Sequence, residues 1–129
     1  MPRVVFVCVE NSNRSQMAQA FAQMAGGVEA YSAGSRPSGR VNPKAIEAMK
    51  ELGYDLSVHQ SKSLDDLPPV EFDAAVTMGC GDACPMLKAR QRIDWSIPDP
   101  REMPPEEFRH VRDLIKGKVS QLLAELTSN

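Results

Sequence analysis

The segment from Cys8 to Ser15 has the residue types and the spacing of an oxyanion site that carries a nucleophile. A cysteine ends a short β-branched run, five residues follow, and Arg14 and Ser15 come next. A loop between a strand and the N-terminus of a helix can turn its backbone N–H groups inward around a tetrahedral anion. The loop residues predicted to bind the anion are Glu10, Asn11, Ser12, Asn13, Arg14 and Ser15.

The side chains of this segment fit a nucleophilic attack on the bound anion. The partial positive charge of a helix N-terminus favours a thiolate at Cys8. The Arg14 guanidinium can bind two oxygens of the anion at once, and the Ser15 hydroxyl can donate a hydrogen bond to the thiolate. This arrangement predicts attack at phosphorus or at a similar centre such as arsenic. A capped helix with a buried cysteine is the alternative interpretation.

A second pair of cysteines, Cys80 and Cys84, follows a strand-like run that ends at Met78. Parallel strands end at the same edge of a sheet, so this pair can approach Cys8. We interpret the pair first as a thiol–disulfide relay and second as a structural pair without a role in catalysis. A zinc site ranks third because there is one pair only, so we predict no bound metal. His59 is interpreted as a structural loop residue and His110 as an exposed helix residue.

The apolar pattern predicts strands and helices in alternation. Strands are predicted at 4–9, 28–32, 72–78 and 92–95, and short helical segments at 63–67 and 86–90. Longer helices are predicted from Ser15 to Gly26, from Asn42 to Gly53, and from Pro105 onwards. Such alternation implies right-handed crossovers and a parallel sheet, with the sites beyond the carboxyl ends of the strands.

The composition restricts the class of protein. The chain has 129 residues, which is the length of one domain, and we predict a single domain over 1–129. A formal net charge of -2 argues against a nucleic-acid partner, and the apolar run 4–9 is too short to cross a membrane. The three cysteines cannot all pair internally, and no signal-peptide pattern is present. We therefore expect a cytoplasmic monomer that binds neither nucleic acid nor membranes.

Taken together, these motifs resemble the low-molecular-weight tyrosine phosphatases, and more closely the thioredoxin-coupled arsenate reductases built on that fold. The phosphatases share Cys-x5-Arg-Ser after the first strand, and the reductases resemble the whole of 11–18. Similar segments continue through 31–34, 41–49, 59–61, 94–95 and 99–100. The resemblance implies an α/β fold, a four-stranded parallel sheet flanked by helices in a flavodoxin-like three-layer sandwich. The implied activity is the reduction of arsenate to arsenite, with phosphate or sulfate as analogues.

The resemblance also implies roles for individual residues. Cys8 would be the nucleophile, Arg14 the oxyanion clamp, Ser15 the stabiliser of the thiolate, and Asn11 the residue that holds the shape of the loop. Asp99 would protonate the oxygen that leaves. The implied relay passes through Cys80 and then Cys84 to an external thiol reductant, either thioredoxin or a small thiol with a glutaredoxin-like protein. No bound cofactor is expected.

The sequence departs from its relatives at some positions. Asn13 stands where many relatives have a cysteine, and the two distal cysteines are closer together than in the best-known thioredoxin-coupled members. Gln19 and Lys62 stand where some relatives hold potassium with acidic residues, so we predict no bound potassium. A phosphatase that uses Cys8, Arg14 and Asp99 is the alternative function, and a non-catalytic oxyanion sensor is a more distant one.

Overall fold

The computed structural model describes residues 1–78 and 87–128. The predicted relay cysteines, Cys80 and Cys84, lie outside the described residues. The described residues contain the strands β1 (Arg3–Cys8), β2 (Glu29–Gly34), β3 (Phe72–Thr77) and β4 (Ala89–Asp94). These four strands form one parallel sheet in the spatial order β2-β1-β3-β4. This sheet confirms the predicted α/β fold.

Three helices accompany the sheet, namely α1 (Arg14–Ala25), α2 (Pro43–Lys50) and α3 (Pro105–Thr127). Short 3-10 turns occur at Leu56–Val58 and Leu64–Asp66. The helix ends follow the predicted signals. Asn42 caps α2 by accepting the backbone N–H of Lys44 at 2.9 Å, and Gly26 ends α1 in the left-handed conformation with φ 76°. No helix among residues 1–78 and 87–128 is long and apolar enough to cross a membrane.

The strand β1 lies at the centre of the sheet, and its residues alternate between two apolar clusters. Val4, Phe6 and Cys8 belong to the cluster formed with the three helices. Val5 and Val7 belong to the opposite cluster, together with Phe72, Ala75, Leu87 and the partly buried Leu64, Leu67 and Val70. Successive side chains of a strand point to opposite faces. The alternation therefore places the Cys8 side chain on the same face as α1.

The edge strand β4 begins earlier than predicted. The helical prediction for 86–90 is wrong at Ala89 and Arg90, which belong to β4, and Ala89 pairs with Phe72 of β3. The first residue of the predicted segment, Met86, lies outside the described residues. The sequence 88–92 is rich in residues that favour helices, and an edge strand can expose such side chains to solvent. Pairing of the backbone with β3 overrides the local preference.

Candidate active site

The loop at 9–13 connects β1 to α1 at the carboxyl edge of the sheet, and its carbonyl oxygens point outward. The carbonyls of Cys8, Val9, Glu10 and Ser12 accept the backbone N–H groups of Ser35, Arg36, Ser38 and Asn42 at 3.3, 2.7, 3.1 and 3.1 Å. The C=O of a trans peptide and the N–H that follows it point in opposite directions. The next N–H groups therefore turn toward the inner side of the loop, where an anion would bind.

The close contact between this loop and the end of β2 depends on Gly34. A Cβ atom at this position would lie 2.6 Å from the Val9 carbonyl oxygen and 2.9 Å from the Asn11 nitrogen. Both neighbours are backbone atoms, which cannot rotate away as a side chain can. The carbonyls of Cys8 and Val9 therefore reach the backbone N–H groups of Ser35 and Arg36, just after β2, only because residue 34 lacks a side chain.

Cys8 lies against the first turn of α1, where a hydroxyl group contacts its sulfur. Cys8 Sγ is 2.8 Å from Ser15 Oγ, and Asn11 Nδ2 donates to the same oxygen at 2.7 Å. Asn11 Oδ1 accepts the backbone N–H of Lys62 at 2.7 Å, which fixes the orientation of the amide. Either atom of the Cys8–Ser15 pair can be the donor, but a Cys8 thiolate has no proton, so Ser15 then donates to the sulfur. This donor stabilises a thiolate.

The backbone of Asn11 adopts the left-handed conformation, with φ 52°. Asparagine tolerates this region better than most residues because its short amide can hydrogen-bond locally. The side chain is fully buried, and both ends of its amide have partners. Asn11 therefore takes part both in the turn of the loop and in the hydrogen bonding of Ser15.

A second layer of hydrogen bonds holds Asn11 in place. Gln16 Nε2 donates to Asn11 Oδ1 at 2.9 Å, to the Asn11 carbonyl at 3.0 Å and to the Gln60 carbonyl at 2.9 Å. Its Oε1 therefore faces His59 Nδ1, at 2.9 Å, and this ring nitrogen carries the proton. His59 Nε2 lies 2.5 Å from the Tyr54 hydroxyl. Sequence reasoning assigned His59 a structural role but missed its link to the loop through Gln16.

Burial governs the protonation of His59. Partial burial lowers the pKa of His59 below its ordinary value of 6.5, and the positive charge of Lys62 lowers it further. The same physical cause raises the pKa of Tyr54, to which the charge of Asp55 also contributes. Both groups are therefore neutral near pH 7. The second layer thus adds hydrogen bonds beneath the loop at 9–13, called the anion loop from here on, without adding charge.

Arg14 connects the anion loop to the segment after β4. Its Nη1 donates to the Ile97 carbonyl at 3.0 Å, and its Nη2 lies 3.9 Å from Asp99 Oδ2. The Arg14 side chain is 11% exposed and that of Asp99 is 45% exposed. A small cavity opens between them, and it is lined by Cys8, Val9, Glu10, Ser12, Asn13, Arg14 and Asp99. The structure thus brings Cys8, Arg14, Ser15 and Asp99 together.

The other loop side chains face neighbouring segments. Ser12 Oγ lies 2.5 Å from Ser38 Oγ and donates to the Arg40 carbonyl at 3.1 Å. Both Glu10 carboxylate oxygens lie 3.2 Å from Arg101 Nη1. Asn13 is 5% exposed, and its Oδ1 has no hydrogen-bond partner within the described part of the chain. Because the side chains of Glu10 and Ser12 already have partners, these two residues would contact an anion through their backbone.

The strand β3, which precedes the predicted relay cysteines in the sequence, lies beside β1. Thr77 at the end of β3 pairs with Val7 of β1, one residue before Cys8. The chain therefore leaves β3 at the edge of the sheet where Cys8 lies. Cys80 and Cys84 themselves lie outside the described residues.

The described residues offer no cluster of metal ligands. No group of three or more His, Cys, Asp or Glu side chains among residues 1–78 and 87–128 could hold a metal ion. Gln19 Oε1 accepts the Ser32 hydroxyl, and the backbone N–H of Lys62 donates to Asn11. His110 is exposed on α3, as predicted. That the protein binds no potassium remains a prediction.

Known proteins are similar in sequence to this chain over nearly its whole length. Residues 3–129 match the family described as low molecular weight phosphotyrosine protein phosphatase. A glutaredoxin arsenate reductase of Synechocystis sp. is 37% identical over 98% of this chain and 100% of its own length. An arsenate reductase of Staphylococcus aureus is 44% identical over 88% of this chain and 89% of its own length.

Solved structures share the fold. An arsenate reductase in the phosphate binding state superposes with a TM-score of 0.90 at 36% identity, over 98% of this chain and 100% of that chain. A thioredoxin-dependent arsenate reductase of Corynebacterium glutamicum superposes with a TM-score of 0.78 at 32% identity, over 97% of this chain and 61% of that chain. The anion loop, the strand order and this similarity agree: the chain belongs to the low molecular weight phosphotyrosine protein phosphatase family.

Proposed function

We propose that this protein reduces arsenate to arsenite, with Cys8 as the nucleophile. The observation that carries the proposal is the 2.8 Å contact between Cys8 and Ser15, whose hydroxyl can donate to a thiolate at Cys8. The inward N–H groups of the loop and the Arg14 guanidinium would bind the oxygens of the anion. The names of the similar proteins, arsenate reductases, support arsenate as the substrate.

The first step forms a bond between Cys8 and arsenic. The Cys8 thiolate attacks the arsenic atom, an As–O bond breaks, and the oxygen leaves as water after it takes a proton from Asp99. The position of Asp99 supports this role, because its Oδ2 lies 3.9 Å from Arg14 Nη2 and the residue lines the cavity with Cys8. Arsenic is still pentavalent after this step, so the reduction must come from a second thiol.

The second step transfers two electrons to arsenic. In our proposal Cys80 attacks Cys8 Sγ, an S–S bond forms, and the electron pair of the S–As bond stays with arsenic, which leaves as trivalent arsenite. The electrons come from the two thiols, which become a Cys8–Cys80 disulfide. Cys84 then attacks Cys80, frees Cys8, and leaves a Cys80–Cys84 disulfide for an external dithiol, which is oxidised in turn.

The electron donor that we favour is a thioredoxin-like protein, with no cofactor bound to this chain. A terminal disulfide between two nearby cysteines suits a protein dithiol, which reduces it by exchange. The relatives carry two kinds of name: the Synechocystis protein is a glutaredoxin arsenate reductase, and the Corynebacterium protein is thioredoxin-dependent. A small thiol with a glutaredoxin-like protein is therefore the alternative donor.

Phosphatase activity is at most a side activity in this proposal. Cys8, Arg14 and Asp99 would also serve phosphoester hydrolysis, but an aromatic phosphoester gains from aromatic walls. The two tyrosines lie elsewhere. Tyr31 packs on Phe72 with ring centroids 5.5 Å apart, and Tyr54 contacts His59. Arg101, rather than an aromatic residue, follows Asp99 and Pro100.

The test is a coupled assay of arsenate-dependent NADPH consumption with thioredoxin and thioredoxin reductase. A parallel assay contains glutathione, glutaredoxin and glutathione reductase, and a third measures hydrolysis of para-nitrophenyl phosphate. We expect arsenate to drive NADPH consumption with one of the two donors, and Cys8→Ser to abolish it. Efficient phosphoester hydrolysis without arsenate reduction by either donor would overturn the proposal in favour of a phosphatase.

A further inference from the structure

The acid loop, defined here as residues 97–103, has no helix or strand of its own and is tied to the anion loop by one ion pair. Arg101 Nη1 lies 3.2 Å from both carboxylate oxygens of Glu10. These residues lie far apart in the sequence. Glu10 belongs to the anion loop, and Arg101 comes two residues after Asp99. The ion pair therefore joins the loop that binds the anion to the loop that carries the acid.

Arg101 also holds the carboxylate of Asp99 directly. Its backbone N–H donates to Asp99 Oδ1 at 3.0 Å, and this leaves Oδ2 on the side of Arg14. The position of Arg101 and the orientation of Asp99 are consequently linked. A displacement of Arg101 away from Glu10 would move the acid relative to the bound oxyanion.

A second tie reaches the acid loop from α2. Lys44 Nζ donates to the carbonyl of Arg101 at 2.9 Å and lies 3.5 Å from that of Met103. Arg14, the first residue of α1, supplies a third tie: its Nη1 donates to the Ile97 carbonyl and its Nη2 lies 3.9 Å from Asp99 Oδ2. The pair with Glu10 differs from these ties because Arg101 is itself a residue of the acid loop and donates its backbone N–H to Asp99.

We propose that the Glu10–Arg101 ion pair is a positioning device for the acid step, and that Arg101 acts on turnover through Asp99. This proposal rests on the proposed function, in which Asp99 protonates the leaving oxygen. General-acid catalysis requires the proton donor to lie within hydrogen-bond reach of the leaving atom, and small displacements are costly. The pair also neutralises the Glu10 carboxylate, which would otherwise repel an anionic substrate at the mouth of the site.

The exposure of the Glu10–Arg101 pair distinguishes a role in positioning Asp99 from a role in the stability of the fold. The side chains of Arg101 and Glu10 are 52% and 39% exposed, and exposed ion pairs contribute little to global stability. Arg101→Gln should therefore leave the melting temperature unchanged while it lowers kcat. A matched control is Arg90→Gln. Arg90 lies on β4 and forms an exposed 3.3 Å ion pair with Glu71, which does not involve the acid loop.

The two members of the pair should differ in their effect on KM. Arg101→Gln leaves the Glu10 carboxylate unpaired, so kcat should fall on the order of tenfold and the KM for arsenate should rise. Glu10→Gln breaks the same contact but removes the negative charge, so kcat should fall without a rise in KM. The reversed pair, Glu10→Arg with Arg101→Glu, should recover part of the lost kcat.

The deciding experiment combines Arg101→Gln with Asp99→Asn in the arsenate-reduction assay. If Arg101 acts through Asp99, then Arg101→Gln has no further effect on kcat once Asp99 is replaced. An equal fold-loss in both backgrounds would overturn the proposal. Equal KM for Arg101→Gln and Glu10→Gln would overturn the charge argument.

Hydrogen exchange provides a readout that does not need activity. Backbone amides of 97–103 should exchange faster in Arg101→Gln and Glu10→Gln than in the parent protein and in Arg90→Gln. Unchanged exchange would contradict the positioning role even in an active enzyme. A parent protein without arsenate reduction would refute the proposed function, and the exchange rates would still decide whether the ion pair holds the loop.

Discussion

The side-chain nitrogen of Asn11 donates to the Ser15 hydroxyl over 2.7 Å, and the same oxygen lies 2.8 Å from Cys8 Sγ. With Asn11 as its donor, the Ser15 hydroxyl keeps its proton available for a Cys8 thiolate. The amide of Asn11 is itself oriented by the backbone of Lys62 and by Gln16. The state of the nucleophile thus depends on backbone and side chains well outside the loop.

Replacing Ser15 by alanine should make Cys8 less reactive. A hydrogen bond to a charged group is worth about 1.5–3 kcal/mol, so alkylation of Cys8 by iodoacetamide at neutral pH should slow roughly tenfold or more. Ser12→Ala is the matched control, because its hydroxyl bonds to Ser38 and Arg40 and not to Cys8. Equal alkylation rates in Ser15→Ala and Ser12→Ala would mean that the thiolate is stabilised by the loop backbone alone.

Replacing Gly34 by alanine should damage the anion loop through its backbone. The new Cβ would lie 2.6 Å from the Val9 carbonyl oxygen, so the loop must shift, at a cost of about 1–3 kcal/mol in the free energy of unfolding. Phosphate affinity should fall with it, which urea denaturation and calorimetric titration would measure. Gly117→Ala is the control, since a Cβ there meets nothing within 4 Å and alanine favours the helix. Normal phosphate affinity in Gly34→Ala would contradict this view of the loop.

Arg14→Lys should lower kcat/KM on the order of 10²-fold or more, because one ammonium cannot replace the planar fork of the guanidinium. In the structure Nη1 already donates to the Ile97 carbonyl while Nη2 faces Asp99, so the two nitrogens have separate tasks. The measurement is the kinetics of arsenate reduction beside a binding titration with phosphate. A nearly normal kcat/KM would reduce Arg14 to a scaffold residue that ties two loops together.

Stability should fall on acidification because of His59. Burial lowers the pKa of His59 in the folded protein, so between that pKa and the ordinary value near 6.5 the unfolded chain binds more protons. The stabilising contribution is complete above about pH 6.5 and is lost as the pH falls through that value toward the folded pKa. Urea unfolding between about pH 7.5 and about pH 5.5 should show the loss.

His59→Gln should flatten this dependence, since glutamine can still donate to Gln16 but does not titrate in this range. His110→Gln is the control because His110 is exposed on α3. If His59→Gln and the parent protein lose stability equally on acidification, another group is responsible.

Local patterns predicted most of the fold. The strand β1 is buried on both faces and reads as an unbroken apolar run, while Asn42, Gly26 and Pro105 mark helix ends by local chemistry. The start of β4 was predicted wrongly because an edge strand pairs through its backbone and carries charged side chains. Local sequence contains no signal for such pairing.

The sequence predicted those parts of the site whose residues lie close together along the chain. The spacing of Cys8, Arg14 and Ser15 identifies the loop, but the partners of that loop are distant in sequence. His59 reaches it through Gln16, and Arg101 reaches it through Glu10. Such pairs follow from the order of the strands, which puts β2 beside β1, and from the path of the segment after β4, which crosses to the start of α1. Neither follows directly from a single sequence.

The relay predicts a distinct failure for each of the two distal cysteines. Without Cys84, one round of arsenite release should still occur, and a Cys8–Cys80 disulfide should accumulate because Cys8 is only 3% exposed and is poorly reached by a protein reductant. Without Cys80, arsenite release with thioredoxin should fail or become very slow. Phosphoester hydrolysis should survive in both variants, because water completes that reaction, and it therefore serves as the control for folding.

Peptide mapping of non-reduced protein after a single arsenate turnover would give the order of attack. A Cys8–Cys84 disulfide in a fully active Cys80→Ser protein would reverse the two assignments. Full multiple turnover with both distal cysteines replaced, and with only a small thiol and a glutaredoxin-like donor, would remove the internal relay. The external thiol would then attack Cys8 directly. The electrons would enter at the anion loop itself, where the reacting sulfur of Cys8 lies 2.8 Å from Ser15 Oγ.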